Sequence, residues 1–493
     1  MAVKSDEPLR ILFVAAEAAP LVKVGGLGDV VGSLPDALLS LPPASRHDHA
    51  LDIRVMIPYH PTIPRGKPDI TFVTTFSVPH PDGSLPASAY LTHIGNTAVY
   101  LIDGDMIPKT GGVYSLDTQK DGEKFTFFSF AVFELCRALD WQPDILHAHD
   151  WHAALTMHLL SRLRRSDPFF AATYSMLTVH NLPYMGAGTD KALKSFGVHK
   201  SNDRRLPVWG RYQPLPMGLS AADWITTVSP TYAREIMTPE FGCSLESFLQ
   251  ARAAVISGVL NGLDLETANP ETDPAIVHHF SIPSLESRQA NKTALQKEFG
   301  LDPDPNIPLI ISIGRFDYQK GLDLAIGALS QLTDDRWQAI LLGSGDPAIE
   351  ATARTLESDM PDRVRAAIRF DVGLSKRMYA GGDMLLIPSR YEPCGLTQMF
   401  AMRFGCLPVA RSTGGLRDTI LDDPNPQKST GFLFEGATAE ALAASIRRAL
   451  AAFTDQKGWK TRQYFAMGQD FSWQRSAETY LRLYLKLLDG KSR

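Results

Sequence analysis

A single glutamate stands where an apolar run meets a helix-forming segment, and its position allows chemistry. Met384-Leu385-Leu386-Ile387 reads as a buried parallel strand and feeds into Pro388-Ser389-Arg390-Tyr391-Glu392-Pro393-Cys394-Gly395-Leu396-Thr397-Gln398. From Gln398 to Phe404 the composition suits a helix that closes at Gly405. Glu392 is thereby placed at a strand's carboxyl end, just before backbone N–H groups that open a helix. Open α/β sheets bind ligands there, and a helix start favours an anion or a ligand's oxygen atoms. A plain turn with a capping carboxylate would look the same locally, so the other polar strand ends have to decide.

Two of them carry cations or glycines. Leu309 to Ile313 leads into Gly314-Arg315-Phe316-Asp317-Tyr318-Gln319-Lys320-Gly321. Arg315 is a planar fork and Lys320 a point charge, a pair suited to a diphosphate, although a solvated charged loop has the same composition. Leu407 to Ala410 leads into Thr413-Gly414-Gly415-Leu416, which offers helix-start amides to phosphate or is a tight turn with a Thr cap. Near the start, Leu9 to Ala15 is followed by Lys23-Val24-Gly25-Gly26-Leu27-Gly28-Asp29 and by helix spacing at Val30, Leu34, Leu38 and Leu41. Strand, glycine-rich loop and helix open many nucleotide folds, but this spacing is neither GxGxxG nor a Walker loop.

The histidines invite a metal, and the pattern argues against one. Strand alternation turns His147 and His149 to one side, His152 lies beyond the strand, and no HExxH pattern occurs. A hydrogen-bonding sugar site is the favoured reading, with His180-Asn181 at another strand end placed to hold hydroxyls. Cys394 has no evident base and reads as a small buried apolar side chain rather than a nucleophile.

The elements that must position these residues alternate. Short strands at Ile53 to Ile57, Ala98 to Ile102, Ile145 to Ala148, Met176 to Val179 and Ile225 to Val228 are separated by helix-compatible segments. After the turn at Asn261-Gly262 and a polar linker to Pro274, the alternation restarts. Its strands are Leu309 to Ile313, Ala339 to Leu342, Ile368 to Val372, Met384 to Ile387 and Leu407 to Ala410. The expected fold class is α/β, with two doubly wound, parallel-sheet domains and a ligand in a cleft between them. The tail from Ser472 to Leu488 reads as an amphipathic helix.

Composition bounds the partners. The 493 residues carry a net charge of −5 and no basic block, so nucleic acid and anionic membrane are not expected. Four scattered cysteines point to a reducing compartment without structural zinc. No apolar run approaches ~18 residues, and Met1 to Arg10 does not resemble a signal peptide. The expected location is the cytoplasm, or the plastid stroma if the chain is a mature plant or algal form.

Taken in order, the Lys23 to Asp29 loop, His149-Asp150-Trp151-His152, His180-Asn181, Asn261-Gly262, Gly314-Arg315 with Lys320-Gly321, Ser389 to Gln398 and Thr413 to Leu416 give the chain a resemblance. It resembles the bacterial glycogen synthases and plant starch synthases, retaining glucosyltransferases with two Rossmann-like domains facing a deep cleft. The resemblance runs from Leu9 to the tail helix. It implies an acceptor-side domain over residues 1–262, a donor-side domain over 263–471, and a helix over 472–493 crossing back to the first. It also implies glucose transfer from ADP-glucose to the non-reducing 4-OH of an α-1,4-glucan, with no cofactor or metal.

Residue roles are implied in the same way. Arg315 and Lys320 would neutralise the departing diphosphate, helped by amides at Gly25, Gly26, Gly414, Gly415 and Leu416 beside Thr413. Glu392 would meet the glucose or the positive charge developing on it, with Cys394, Gly395, Leu396 and Thr397 near its hydroxyls. His180 would contact the 6-OH and the attacked face, and Lys23 would lie near the phosphates and acceptor. Asp29, Tyr114, Asp150, Trp151, Asn181 and Asn261 would line the sugar side, and Phe370 would stack the base. Two departures stand out: Val24 replaces the family's common Thr, and Phe400 stands eight after Glu392 where many related transferases carry a second Glu. The rival readings are a UDP-glucose enzyme of the same fold, a non-catalytic glucan-binding relative, and a sugar-nucleotide epimerase.

Overall fold

Gln338–Gly343 and Met384–Ile387 are buried at every residue. Strands covered by helices on both faces require this, and it is why they read as unbroken apolar runs. The computed structural model describes residues 7–46 and 48–490. The chain divides into two compact units, residues 1–262 with 473–493, and residues 263–472.

In the second unit six strands run in the order Val364–Ile368, Gln338–Gly343, Leu309–Ile313, Met384–Ile387, Leu407–Arg411, Phe432–Phe434, every neighbouring pair parallel. The chain moves outward from Leu309–Ile313 in one direction and then resumes on its other side at Met384–Ile387. The loops after these two strands therefore diverge and leave a crevice at the strands' carboxyl ends.

The first unit's sheet runs in the order Thr71–His80, Gly83–Ile94, Thr97–Gly104, Leu51–Pro58, Leu9–Val14, Ile145–His149, Tyr174–Val179, Trp224–Thr227, Ile256–Gly258. Its switch point lies between Leu9–Val14 and Ile145–His149, which pair in parallel. The helix Trp473–Asp489 belongs to this unit. Its Tyr480, Leu481, Tyr484 and Leu487 pack into one core with Leu9, Ile11 and Phe13, and the Tyr484 hydroxyl is 2.7 Å from His147 Nδ1.

Two expectations about the sheets need correction. The strand expected at Ile368 to Val372 lies upstream at Val364–Ile368, and Val372 opens the helix Val372–Gly381. The Asp371 carboxylate accepts from the Leu374 amide at 2.8 Å and so starts that helix, a cap overlooked beside the apolar residues. Nor is the first sheet wholly parallel: Thr71–His80 and Gly83–Ile94 form an antiparallel edge against Thr97–Gly104. Few of their residues are buried, and the outermost strand, Thr71–His80, carries Pro79, as an edge strand tolerates.

Candidate functional site

The second unit's switch point gathers the residues expected on the donor side. A pocket at the ends of Leu309–Ile313 and Met384–Ile387 is lined by Arg315, Lys320, Ser389, Glu392 and Thr397, among others. Glu392 is buried, with 6% of its surface exposed. Its Oε2 accepts from Lys320 Nζ at 2.6 Å and from Ser389 Oγ at 2.9 Å. Arg315 lies at the rim in an ion pair with Asp317 at 3.2 Å. Asp317 also accepts from the Lys320 amide at 2.8 Å, so one carboxylate shapes the loop that carries both cations.

The turn after Glu392 is rigid for a local reason. Gly395 has φ 73°, a conformation that disfavours side chains. The Gln398 side-chain amide donates to the carbonyls of Cys394 (3.1 Å) and Gly395 (2.9 Å). Cys394 is buried. The amides of Gly395 and Leu396 have no acceptor among the described residues. Thr397 opens the helix Thr397–Arg403.

Thr413–Leu416 lies against this turn in a different capacity from the one expected. A Cβ on Gly414 would collide with the Glu392 carbonyl, and one on Gly415 with that of Cys394. The Gly415 amide donates to the Glu392 carbonyl at 3.1 Å, and the Leu416 amide to that of Thr413 at 3.1 Å. These two amides are committed to the fold, so the glycines serve close packing of two loops. Phe370 lies outside the pocket, 87% exposed.

The first unit's switch point gathers a second cluster. Lys23 Nζ pairs with Asp29 at 2.7 Å. Side chains on Gly25 and Gly26 would meet nothing within 4 Å, so neither packing nor backbone conformation demands glycine there and the loop surface stays open. The Gly25 amide, expected to face a phosphate, instead donates to Glu17 Oε2 at 3.0 Å, as does that of Val24 at 2.5 Å. Glu17 Oε1 accepts from the Tyr114 hydroxyl. The Tyr114 ring stacks on His152, with centroids 4.9 Å apart, and His152 contacts Trp151.

Asp150 adopts φ 55°, in the left-handed region that few residues other than glycine enter. Its Oδ1 accepts from the His180 amide at 2.7 Å. Burial pushes its pKa up to about 7, opposed by the amides of His180 and Asn181. His180 Nε2 and His149 Nδ1 are 3.0 Å apart. Charging both rings would set two donors against each other, and burial holds His180 neutral, with its pKa lowered to about 3. Asn181 Oδ1 and Asn261 Oδ1 are buried acceptors without a partner among the described residues. Such orphans fit hydroxyl recognition. No group of three or more His, Cys, Asp or Glu with metal-holding geometry occurs among the described residues.

Sequence reasoning missed Glu17, Ser389, Asp317 and Gln398. Each is polar and sits within a few residues of an expected site residue, but only the fold turns its side chain inward.

The buried imidazoles predict acid lability. His60 and His158 stand at about 4 and His147 and His180 at about 3, all lowered by burial. Between pH 6.5 and those values the unfolded chain binds more protons. The stability these groups confer is therefore complete above pH 6.5 and is lost as pH falls. Asp150 has the opposite sign, since its raised pKa removes stability as pH rises through about 7, but it is one group against four. The melting temperature is expected to fall by roughly 10 °C or more between pH 7 and 4.5, measured by calorimetry.

Known families match stretches of the chain in both units. Residues 10–251 match the family model "Starch synthase catalytic domain" and residues 292–464 match "Glycosyl transferases group 1". A glycogen synthase from Anaeromyxobacter sp. is 38% identical over 97% of this chain and 99% of its own length. One from Streptococcus gordonii is 38% identical over 97% and 100%. The catalytic domain of starch synthase IV from Arabidopsis thaliana, solved with ADP and acarbose, superposes with a TM-score of 0.85 at 31% identity, over 98% of this chain and 100% of that one. With whole-length identity to these relatives and both parts of the chain matched, the protein belongs to the glycogen and starch synthase family of glycosyltransferases.

Proposed function

We propose that the protein transfers glucose, with retention, from ADP-glucose to the non-reducing 4-OH of an α-1,4-glucan. The observation that carries the reading is the buried Glu392 beside Lys320, with Arg315 at the rim, at the second unit's switch point. It is supported by relatives named glycogen synthase over nearly the whole chain, and by a structural neighbour solved with ADP and the oligosaccharide acarbose.

Breaking the anomeric C–O bond builds positive charge on the sugar and negative charge on the diphosphate. Preformed cations aimed at the diphosphate lower the barrier without solvent reorganisation. Arg315 and Lys320 meet the leaving oxygens, so no divalent cation is needed, and Glu392 stands on the sugar side. The Gly395 and Leu396 amides, without an acceptor among the described residues, are available to sugar hydroxyls. In the first unit His180, Asn181 and Asn261 present neutral ring nitrogens and orphan acceptors to a carbohydrate.

The acceptor oxygen attacks the face the diphosphate leaves, and its proton passes to the leaving phosphate oxygen. A trapped glucosyl adduct on Glu392 would replace this step with double displacement. Incorporation of labelled glucose into glycogen tests the whole reading. kcat/KM with ADP-glucose is expected to exceed that with UDP-glucose by about tenfold or more. Glucan-independent release of the nucleotide, or none at all, would overturn the assignment.

A further inference from the structure

Glu17 stands three residues beyond the strand Leu9–Val14 and is 2% exposed. No basic side chain pairs with it among the described residues, so its charge is balanced by neutral donors alone. Those donors are the amides of Val24 and Gly25 and the hydroxyl of Tyr114. A buried carboxylate is costly unless such bonds are kept. The loop is wrapped tightly about it: a Cβ on Gly28 would lie 3.1 Å from Glu17 Oε2 and 3.3 Å from the Lys23 backbone. Beyond the carboxylate, the loop is tied down by the Gly28 amide on the Gly25 carbonyl and the Ala19 amide on the Gly28 carbonyl.

We propose that Glu17 is a positioning residue for glucosyl transfer, fixing from beneath the glycine-rich loop that carries Lys23 and turning the Tyr114 hydroxyl inward. The inference rests on the transfer reading above. The acceptor that shapes the loop is internal and permanent, so the Lys23–Asp29 pair and the open face at Gly25 and Gly26 are preformed before substrate arrives. The side chain itself touches neither reacting atom.

The test uses the full-length protein with Glu17→Ala, the near-isosteric Glu17→Gln, and Tyr114→Phe alone and combined with Glu17→Gln. In Glu17→Ala, hydrogen exchange over residues 20–31 is expected to quicken about tenfold or more, with core strands unchanged. Its kcat should fall about 50-fold while KM for ADP-glucose moves less than about threefold. Glu17→Gln keeps one acceptor oxygen and should recover only part of that loss, with loop exchange faster than in the wild type and slower than in Glu17→Ala. Its combination with Tyr114→Phe should cost less than the product of the single effects.

A folded Glu17→Ala with wild-type kcat overturns the proposal, and so does loop exchange that stays at the wild-type rate. If the alanine variant does not fold, loop exchange in Glu17→Gln and the two-residue cycle decide. Faster exchange and a less-than-multiplicative cycle support the proposal; unchanged exchange or independent effects overturn it. Failure of the transfer reading shows separately, as absence of glucose incorporation by the wild type.

Discussion

Glu392→Ala is expected to lower kcat for glucose incorporation about a thousandfold, with KM for ADP-glucose changed only a few-fold. The split follows from what the side chain touches. Its carboxylate is already bonded to Lys320 and Ser389 and is presented, buried, where positive charge would develop on the sugar. Substrate in its ground state has little of that charge. The fold should survive, because the Glu392 main chain keeps the bond it accepts from the Gly415 amide and Lys320, with 29% of its side chain exposed, can reach water. Circular dichroism and steady-state kinetics on the same preparation check both halves. Wild-type kcat in the variant would remove Glu392 from the mechanism.

Lys320→Gln should be about as damaging to turnover but worse for stability. It removes one of the two cations proposed to meet the leaving diphosphate, for an expected loss of about a thousandfold in kcat. It also strands a buried carboxylate, at a cost of about 2 kcal/mol after allowing for the partial exposure of the lysine. Adding Glu392→Gln to Lys320→Gln removes the stranded charge, so the double variant should regain stability in denaturant titration while staying inactive. Stability and activity would then separate at one ion pair.

The second unit's strands were legible almost to the residue where an apolar run ends in glycine or proline, as at Leu309–Ile313 and Met384–Ile387. Legibility failed where a cap sat beside apolar residues, as at Asp371, and where a strand was solvated on an edge, as at Thr71–His80. Such strands lack the continuous apolar signature. At the site, the charged residues could be named from their types, but not what each already holds. The Gly25, Gly415 and Leu416 amides looked free because sequence shows donors without acceptors. Glu17, a carboxylate in an alanine-rich stretch, carried no local sign that it would turn under a loop several residues away. Contacts of that kind are set by sheet register and loop closure, which no local pattern encodes.

The helix Trp473–Asp489 gives the chain an unusual order of completion. It supplies Tyr480, Leu481, Tyr484 and Leu487 to the core under Leu9–Val14, so the second unit is an insertion within the first, its ends joined where the Leu263 amide meets the Phe471 carbonyl at 2.7 Å. On the ribosome the first unit emerges early yet waits for more than two hundred further residues, on the order of tens of seconds at ordinary elongation rates. Until then its apolar floor is uncovered, and the part of the protein made first is the last to be finished.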